Sequence, residues 1–260
     1  MKDRHKLNLF YSGKEDATPY LKAREITDDV YFATKLCIVS LAMDFPVDNS
    51  SKRRKVLEDK WINLLPRLDQ IRALSVRQRV NQDFFEAICN MNNLEHLHFW
   101  TSKVEDILSI SKLSKLTRLS LNGFSRLTDI SPILTLKKLK LLSIENSFNV
   151  ANYDLIGQMT QLIGLQLGGD TFAPKNLRLK SLKPFSNLKA LRHLDLSTLS
   201  VVDSSYETIL DLENLERFDI TVTIPSLIRE LIKANHKKLT AGFFMDWDYD
   251  NKKMYEGKEW

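Results

Sequence analysis

The sequence predicts an α/β fold: a solenoid with a curved parallel β-sheet on its concave face and short 3₁₀ or α-helical segments on its convex face. Two observations predict it. A six-residue frame, apolar at its first, fourth and sixth positions, recurs along two-thirds of the chain. Between its copies lies a second apolar pattern with a spacing of three residues. Self-similarity at a period of about 20–50 residues indicates repeats that bury their apolar faces on one another.

The frame occurs eight times, and its last copy is degenerate. Successive copies begin 23, 22, 23, 23, 29, 24 and 24 residues apart. Side chains alternate between the two faces of a strand, so the apolar positions of each frame point into a common core. The copies are Ile71–Val76, Leu94–Phe99, Leu116–Leu121, Leu139–Ile144, Leu162–Leu167, Leu191–Leu196, Leu215–Ile220 and Leu239–Phe244.

The segment after each frame is predicted to form the outer wall. In Leu127–Leu136 the apolar residues recur three apart, which suits a turn of 3₁₀ or α-helix, and Tyr206–Leu212 has the same pattern. Ile224–Lys233 is predicted to be a true helix with Pro225 in its first turn.

This pattern resembles that of leucine-rich repeat proteins, and its 22–24-residue period resembles their SDS22-like or internalin-like subclass. The resemblance covers the chain from Ile71 to about Met245. The family usually places Asn three residues after each frame, where its amide bonds to the backbone. The corresponding residues here are Arg79, Ser102, Phe124, Ser147, Asp170, Leu199 and Thr223. Because Phe124 and Leu199 cannot replace the amide, the resemblance implies a less regular arc with locally disrupted ladders.

The fifth period is about six residues longer than the others, with the extra residues around Thr171–Asn176. This insertion predicts a bulging surface loop, either a tolerated insertion or a contact surface.

The two ends of the solenoid are predicted to be capped, since an open end exposes core and unpaired strand edge. Residues 1–70 form the predicted N-terminal cap: a buried strand over Leu36–Ala42, which pairs with the first repeat, and a helix over Lys52–Leu65. Ser51 caps this helix, Pro66 ends it, and one face carries Val56, Leu57, Trp61 and Leu64. Seven to eight repeats follow over residues 71–245, and 246–260 form a C-terminal cap or tail. Apolar residues expected to cover the last repeat are Phe243, Phe244, Met245, Trp247 and Tyr249.

The strand residues between the frame leucines are predicted to face the concave side in three columns. A basic and aromatic group falls on the early repeats, and most acidic residues fall on the later ones. Trp and Arg are enriched among interface hot spots, so we interpret the face as a binding surface for a protein, against the alternative of an ordinary solvated surface. The candidate partner-binding residues are Arg77, His96, His98, Trp100, Arg118, Asn122, Glu145, Gln166, His193, Asp195, Arg217 and Asp219.

Two other kinds of chemistry are less well supported by these columns. His96 and His98 have the spacing of a metal-binding pair, but zinc needs three or four ligands and the flanking strands supply Ala73, Ser75, Arg118 and Ser120. Asp195 and Asp219 are predicted neighbours on adjacent strands. A catalytic pair would need a cleft that excludes water, whereas a surface ion-pair cluster or partner recognition does not.

Composition limits the remaining function classes. Hydrophobic residues make up 43% of the chain and charged residues 27%, and no apolar run reaches the roughly 18 residues of a membrane helix. A net charge of +5 is modest for a nucleic-acid binder, although lysines on loops and outer faces leave that alternative open. Cys37 and Cys89 are too few for a disulfide framework, and no nucleophile, phosphate-binding or cofactor motif occurs. The N-terminus lacks a signal-peptide pattern, so a cytoplasmic protein is expected.

Together these features predict a non-enzymatic scaffold, with no metal or cofactor, that holds a protein partner on its concave face. The resemblance implies protein binding, and cytosolic proteins of this look resemble bacterial adaptors, effectors and toxin-neutralising immunity proteins. A nucleic-acid-associated protein that uses basic loops is the alternative from another class.

Overall fold

The computed structural model describes residues 18–39, 51–170 and 175–246. The strands are β1 (Leu21–Ala23), β2 (Lys35–Ile38), β3 (Ala73–Val80), β4 (His96–Ser102), β5 (Arg118–Asn122), β6 (Leu141–Glu145), β7 (Gly164–Gly168), β8 (Leu177–Leu179), β9 (His193–Leu196), β10 (Leu199–Val201) and β11 (Arg217–Ile220). The α-helices are α1 (Ser51–Leu64), α2 (Gln82–Cys89), α3 (Ser226–Asn235) and α4 (Phe243–Asp246). The 3₁₀ segments are Asp28–Tyr31, Leu65–Arg67, Leu108–Lys112, Ser131–Thr135, Tyr153–Gln158, Lys183–Asn187 and Tyr206–Asp211.

A nine-stranded parallel sheet forms one wall of the solenoid. Its strand order is β1-β2-β3-β4-β5-β6-β7-β9-β11, which follows the order along the chain. Each repeat therefore pairs with the repeat before it and the repeat after it. The degenerate eighth frame adds only a bridge between Ala241 and Arg217. The predicted leucine-rich repeat architecture is confirmed.

The opposite wall is built from short helices that stack on one another in chain order, from α2 through the 3₁₀ segments to α3. The 3₁₀ segments at Ser131–Thr135 and Tyr206–Asp211 lie where the three-residue spacing predicts them. Helix α3 also lies where it is predicted, but Pro225 immediately precedes it instead of lying in its first turn. One face of the sheet packs against this wall, and the core lies between them. The opposite face of the sheet is the one that carries polar side chains.

The core is one continuous apolar cluster that runs from Ala23 to Phe244. Within it Phe99 lies 5.6 Å from the ring of Phe85 and 5.5 Å from the ring of Phe124, in the tilted and edge-on arrangements that aromatic pairs favour. The disruption predicted at Phe124 is wrong. Its ring is fully buried, its backbone forms an isolated parallel bridge with Ser102, and its N–H donates to the Ser147 hydroxyl at 3.2 Å, so this N–H is satisfied without the family amide.

Irregularities occur at two other places. A register shift between Val76 and Arg79 inserts a residue into β3, so that Val80 and not Arg79 pairs with Ser102. The second irregularity is at Leu199. Strands β8 and β10 form a separate two-stranded parallel sheet, in which Leu199 is the Cα partner of Leu177 from the fifth repeat.

The two residues that flank the start and the end of the fifth-repeat insertion, Asp170 and Lys175, are paired with each other. Asp170 N–H donates to Lys175 O at 3.1 Å, in an isolated antiparallel bridge. Residues 171–174 of the predicted loop lie outside the described residues.

Two strands extend the sheet beyond the first repeat. β2 pairs with β3 as predicted, and β1, which was not predicted, pairs with β2. Helix α1 buries Trp61 completely, and its indole N–H donates to Arg24 O at 3.0 Å, which ties the helix to the residue after β1. The prediction that Val56 lies on the buried face of α1 is wrong, since 47% of its surface is exposed.

At the C-terminal end, Phe244 covers the last repeat as expected. Its ring lies 5.2 Å from that of Phe218, and it is buried. Residues 40–42 of the predicted strand, together with Trp247, Tyr249 and the tail from 250 to 260, lie outside the described residues. Within the described ranges, no helix combines the length and apolarity needed to cross a bilayer.

Candidate functional site: the concave sheet face

The strand register aligns the predicted columns across the sheet. Ala73, His96, Arg118, Leu141, Gly164, His193 and Arg217 are successive Cα partners. Ser75, His98, Ser120, Ser143, Gln166, Asp195 and Asp219 form the second aligned row. In the third row Asn122, Glu145 and Gly168 are aligned in the same way.

Trp100 is the centre of the early repeats' surface. It is 52% exposed, although large aromatic residues are usually buried. The Arg77 guanidinium lies 6.0 Å from its ring centroid, and the His98 ring lies edge-on at 6.2 Å. Burial and the nearby charge of Arg77 lower the pKa of His98, which favours its neutral form. His96 and Arg118 are half-buried beside this group.

The same basic surface continues onto strands that sequence reasoning did not assign to the face. Lys35 on β2 is the Cα partner of Ala73, and its ammonium lies 5.9 Å from the ring of Tyr20, which is 40% exposed. Lys22 on β1 lies in the row of His98. The signal that could have found Lys35 is the match of Leu36–Cys37–Ile38 to the last three residues of a frame, which puts Lys35 in the same row as Ala73. We call Lys35, Arg77, His96, His98, Trp100 and Arg118 the basic–aromatic half.

A second group of polar side chains lies on the middle strands. The Gln166 amide donates to Glu145 Oε1 at 3.3 Å and to Asp195 Oδ2 at 3.2 Å, so a single amide bridges two carboxylates. Asp195 Oδ1 also accepts from the backbone N–H and the hydroxyl of Ser197, at 2.9 and 2.6 Å. We call Glu145, Gln166 and Asp195 the carboxylate pocket.

Both carboxyl groups of this pocket are held above their ordinary pKa. Burial, together with the charge of Asp195, raises the pKa of Glu145 to about 7. Burial also raises the pKa of Asp195, against the hydrogen bonds from Ser197. A carboxyl group that is buried without a cation favours its neutral form, so this pocket is electrostatically unsatisfied when ionised.

Asp219 has the opposite environment, although it is the Cα partner of Asp195. Arg217 Nε lies 2.5 Å from Asp219 Oδ2, and His193 Nε2 lies 3.4 Å from the same oxygen. Asp219 Oδ1 accepts from the backbone N–H of Phe243 at 2.9 Å. Burial raises the pKa of Asp219, but the contacts with His193 and Arg217 outweigh it and the pKa falls below its usual value. This cluster joins the last strand to α4.

The structure therefore divides the predicted site residues into three groups. Arg77, His96, His98, Trp100 and Arg118 form the first, and Glu145, Gln166 and Asp195 form the second. His193, Arg217 and Asp219 form the third group, in which His193 and Asp219 are only 4% and 3% exposed, which leaves little of either for a partner to touch. Asn122 belongs to none of them, since its side-chain oxygen accepts from Asn146 at 3.4 Å.

Many solved structures share this fold, among them two from bacteria. An internalin from Listeria monocytogenes aligns with a TM-score of 0.54 at 18% identity, over 68% of this chain and 48% of its own. A leucine-rich repeat protein from Leptospira interrogans aligns with a TM-score of 0.53 at 17% identity, over 85% of this chain and 52% of its own. The aligned region thus spans about half the length of each. No family profile and no curated protein sequence matches the chain.

The similarity, at this level of identity, concerns the fold. It agrees with the parallel sheet, the 3₁₀ segments of the opposite wall and the 22–24-residue period of the sequence. The chain therefore has the leucine-rich repeat fold, with repeats of the internalin-like kind.

Proposed function

We propose that the chain is a non-enzymatic scaffold that binds a protein partner on its concave face and acts as an adaptor or an inhibitor. The observation that carries the proposal is Trp100, half exposed on a continuous sheet and flanked by Arg77 and His98. An exposed Trp beside Arg is the typical composition of an interface hot spot.

The rigidity of the support favours binding by a preformed surface. Nine strands spaced about 4.8 Å apart span about 38 Å between the first and the last, which is the scale of a protein interface and exceeds that of a small-molecule pocket. Because the backbone is already ordered by the ladder and by the core beneath it, binding orders few additional groups.

The test is affinity capture from a lysate of the source organism with two double variants compared with the wild type. Trp100→Ala with Arg118→Glu alters the concave face, and Leu108→Ala with Lys137→Glu alters exposed side chains outside the sheet in the same two repeats. We expect a protein that the wild type and the convex variant retain and the concave variant loses. Equal recovery by all three would place the function elsewhere on the molecule.

The specific form of the activity depends on what is captured. A retained toxin or enzyme whose activity falls on binding would make the chain an inhibitor or an immunity protein. A retained pair of proteins that do not associate without the chain would make it an adaptor.

A nucleic-acid-associated role is the second candidate, and the basic–aromatic half favours it. Binding to phosphate backbones weakens steeply with salt, because each neutralised phosphate releases counterions. Titration of a single-stranded oligonucleotide at 50 and 200 mM salt distinguishes the two functions. No binding at the lower salt concentration would exclude this role.

A further inference from the structure

The concave face carries opposite charge on two neighbouring regions. The basic–aromatic half is centred on β4, where Arg77 lies beside Trp100, and its first aligned row carries Lys35, His96 and Arg118. The carboxylate pocket is centred on β7, three strands farther along the sheet. Three strand spacings correspond to about 14 Å.

The cationic side chains near the carboxylate pocket are directed to Asp219: the charge of His193, which contacts Asp219 at 3.4 Å, only partly offsets the effect of burial on the pKa of Asp195. Among the described residues, no Lys or Arg forms an ion pair with Glu145 or Asp195, whereas Arg217 pairs with the neighbouring Asp219. Gln166 supplies the pocket with amide protons but with no charge. Two ionised carboxylates on one amide repel each other, and this repulsion is relieved when a positive group enters between them.

A buried hydroxyl beside the pocket points to the same conclusion. Ser143 lies on the same face of β6 as Glu145 and is the Cα partner of Gln166. It is 1% exposed, and although it lies near enough to Glu145 to lower the pKa of that carboxyl, its oxygen completes no hydrogen bond of acceptable distance and angle. Buried polar atoms are normally satisfied, so a hydroxyl left in this state is suited to accept a proton from a ligand.

We propose that the partner binds through an extended segment that crosses the strands, places a carboxylate against Arg77 beside Trp100, and displaces the Gln166 amide from between Glu145 and Asp195 with a Lys or Arg side chain. The proposal rests on the concave-face function proposed above. A Lys or Arg side chain is long and narrow enough to reach a half-buried pocket from a backbone above it, and its several N–H donors match the acceptors of Glu145, Asp195 and Ser143.

The spacing of the two regions fixes a pattern in the partner. An extended chain advances about 3.3–3.6 Å per residue, so about 14 Å corresponds to about four residues between the acidic residue and the basic one. The order of the two charges along the sheet also fixes the orientation of the segment, because the reversed segment would place like charges together.

The experiment is selection of a random 12-residue phage-displayed peptide library on the immobilised full chain. Parallel selections use a pocket variant, Glu145→Gln with Asp195→Asn, and an arginine variant, Arg77→Gln with Arg118→Gln. Glu105→Gln with Glu207→Gln is the matched control, since both side chains are exposed away from the pocket. On the wild type we expect peptides that carry Asp or Glu and, about four residues away, Lys or Arg. The pocket variant should lose the enrichment of Lys and Arg and keep that of Asp and Glu.

Affinities of one selected peptide then test the contact itself. The pocket variant should bind it at least tenfold more weakly than the wild type, as expected for a lost charge-assisted hydrogen bond, and the control should bind it within twofold. Replacement of the peptide's Lys or Arg by Met should weaken binding to the wild type by a similar factor and should have little further effect on the pocket variant.

Three results would overturn the inference: no enriched peptide, enriched peptides without the paired charges, or additive losses in the double-mutant cycle. Peptides without the charge pattern that still require Trp100 would contradict the pocket assignment and leave the concave-face function standing. Peptides that bind equally well after Trp100→Ala would contradict both.

Discussion

Replacement of Glu145 by Gln is expected to stabilise the protein, and the gain should appear only as the pH rises. Burial and the charge of Asp195 raise the pKa of Glu145 from 4.5 to about 7. Between pH 4.5 and about pH 7 the Glu145 carboxyl is mostly ionised in the unfolded chain and mostly protonated in the folded chain. The wild type therefore loses stability as the pH rises from about 4.5 to about 7, and above pH 7 it carries the full cost of a buried, unpaired carboxylate.

The size of this cost follows from the shift. A difference of about 2.5 pKa units at about 1.36 kcal/mol per unit corresponds to about 3 kcal/mol. Gln keeps the shape of the side chain and retains an oxygen that can accept from Gln166. We therefore expect the variant to match the wild type near pH 4.5 and to exceed its free energy of unfolding by about 3 kcal/mol at pH 8.

Urea unfolding at pH 5 and pH 8 measures the effect, with the difference between variant and wild type compared at the two values so that other titrations cancel. Glu105→Gln is the control, since Glu105 forms an exposed ion pair with Arg126 at 2.7 Å and such pairs contribute about 0–1 kcal/mol. A stability difference between Glu145→Gln and the wild type that is the same at both pH values would refute the reasoning.

Four further outcomes are expected. Leu119→Ala should lower the free energy of unfolding by about 2–5 kcal/mol, because this frame leucine is 2% exposed, whereas Ser120→Ala beside it should have little effect; denaturant titration distinguishes them. Phe124→Asn, which restores the residue usual in the family, should destabilise the chain by about 3–5 kcal/mol in the same assay, because it leaves a cavity beside the rings of Phe85 and Phe99. A gain in stability would contradict this account. Gly157→Ala should lower the melting temperature, since a Cβ there would lie 2.0 Å from the backbone oxygen of Pro184 on the next 3₁₀ segment; an unchanged melting temperature would mean that the segments separate easily. The affinity for a concave-face partner should rise between pH 6 and pH 8 as Glu145 ionises, and this increase should disappear in Glu145→Gln when both are measured by calorimetry.

The repeat frame predicts most of the fold because the leucine side chains of every frame point into the core. The strands, their parallel order and the rows across them follow from that alternation. The β-bulge in β3 does not, because the 23-residue step of the frame aligns Arg79 with Ser102, whereas the structure pairs the buried Val80 with the buried Ser102 and leaves Arg79 exposed. The sequence also does not show that Phe124 fits the repeat. The comparison with the family Asn indicates only the lost amide, whereas the structure packs the Phe124 ring against Phe85 and Phe99, which are distant in sequence.

The sequence predicts where the site residues lie on the sheet, but it predicts less well which of them form ion pairs and which are buried. The sequence places Asp195 and Asp219 side by side, and the structure agrees. The adjacent Arg217 and His193 are the cations that the sequence offers to this pair, and both contact Asp219. The sequence does not indicate that they leave Asp195 to a Gln amide that bridges it to Glu145, since long side chains can reach several partners from the same strand. The burial of His193 and Asp219 could not be foreseen either, because it depends on how the chain after the seventh repeat folds back, and the backbone of Phe243 contacts Asp219 directly.

The alignment of spatial order with chain order has a mechanical consequence for the binding face. Each strand is held mainly by the strands of the adjacent repeats, so local opening propagates from one repeat to the next in the manner of a one-dimensional array. The basic–aromatic half is near one end of that array and the carboxylate pocket nearer the middle. A ligand that touches both would join repeats that otherwise fray separately. Hydrogen exchange should then slow most in β5 and β6, the strands between Trp100 on β4 and Gln166 on β7, and the slowing should include amides such as those of Leu119 and Leu142, whose side chains lie in the core.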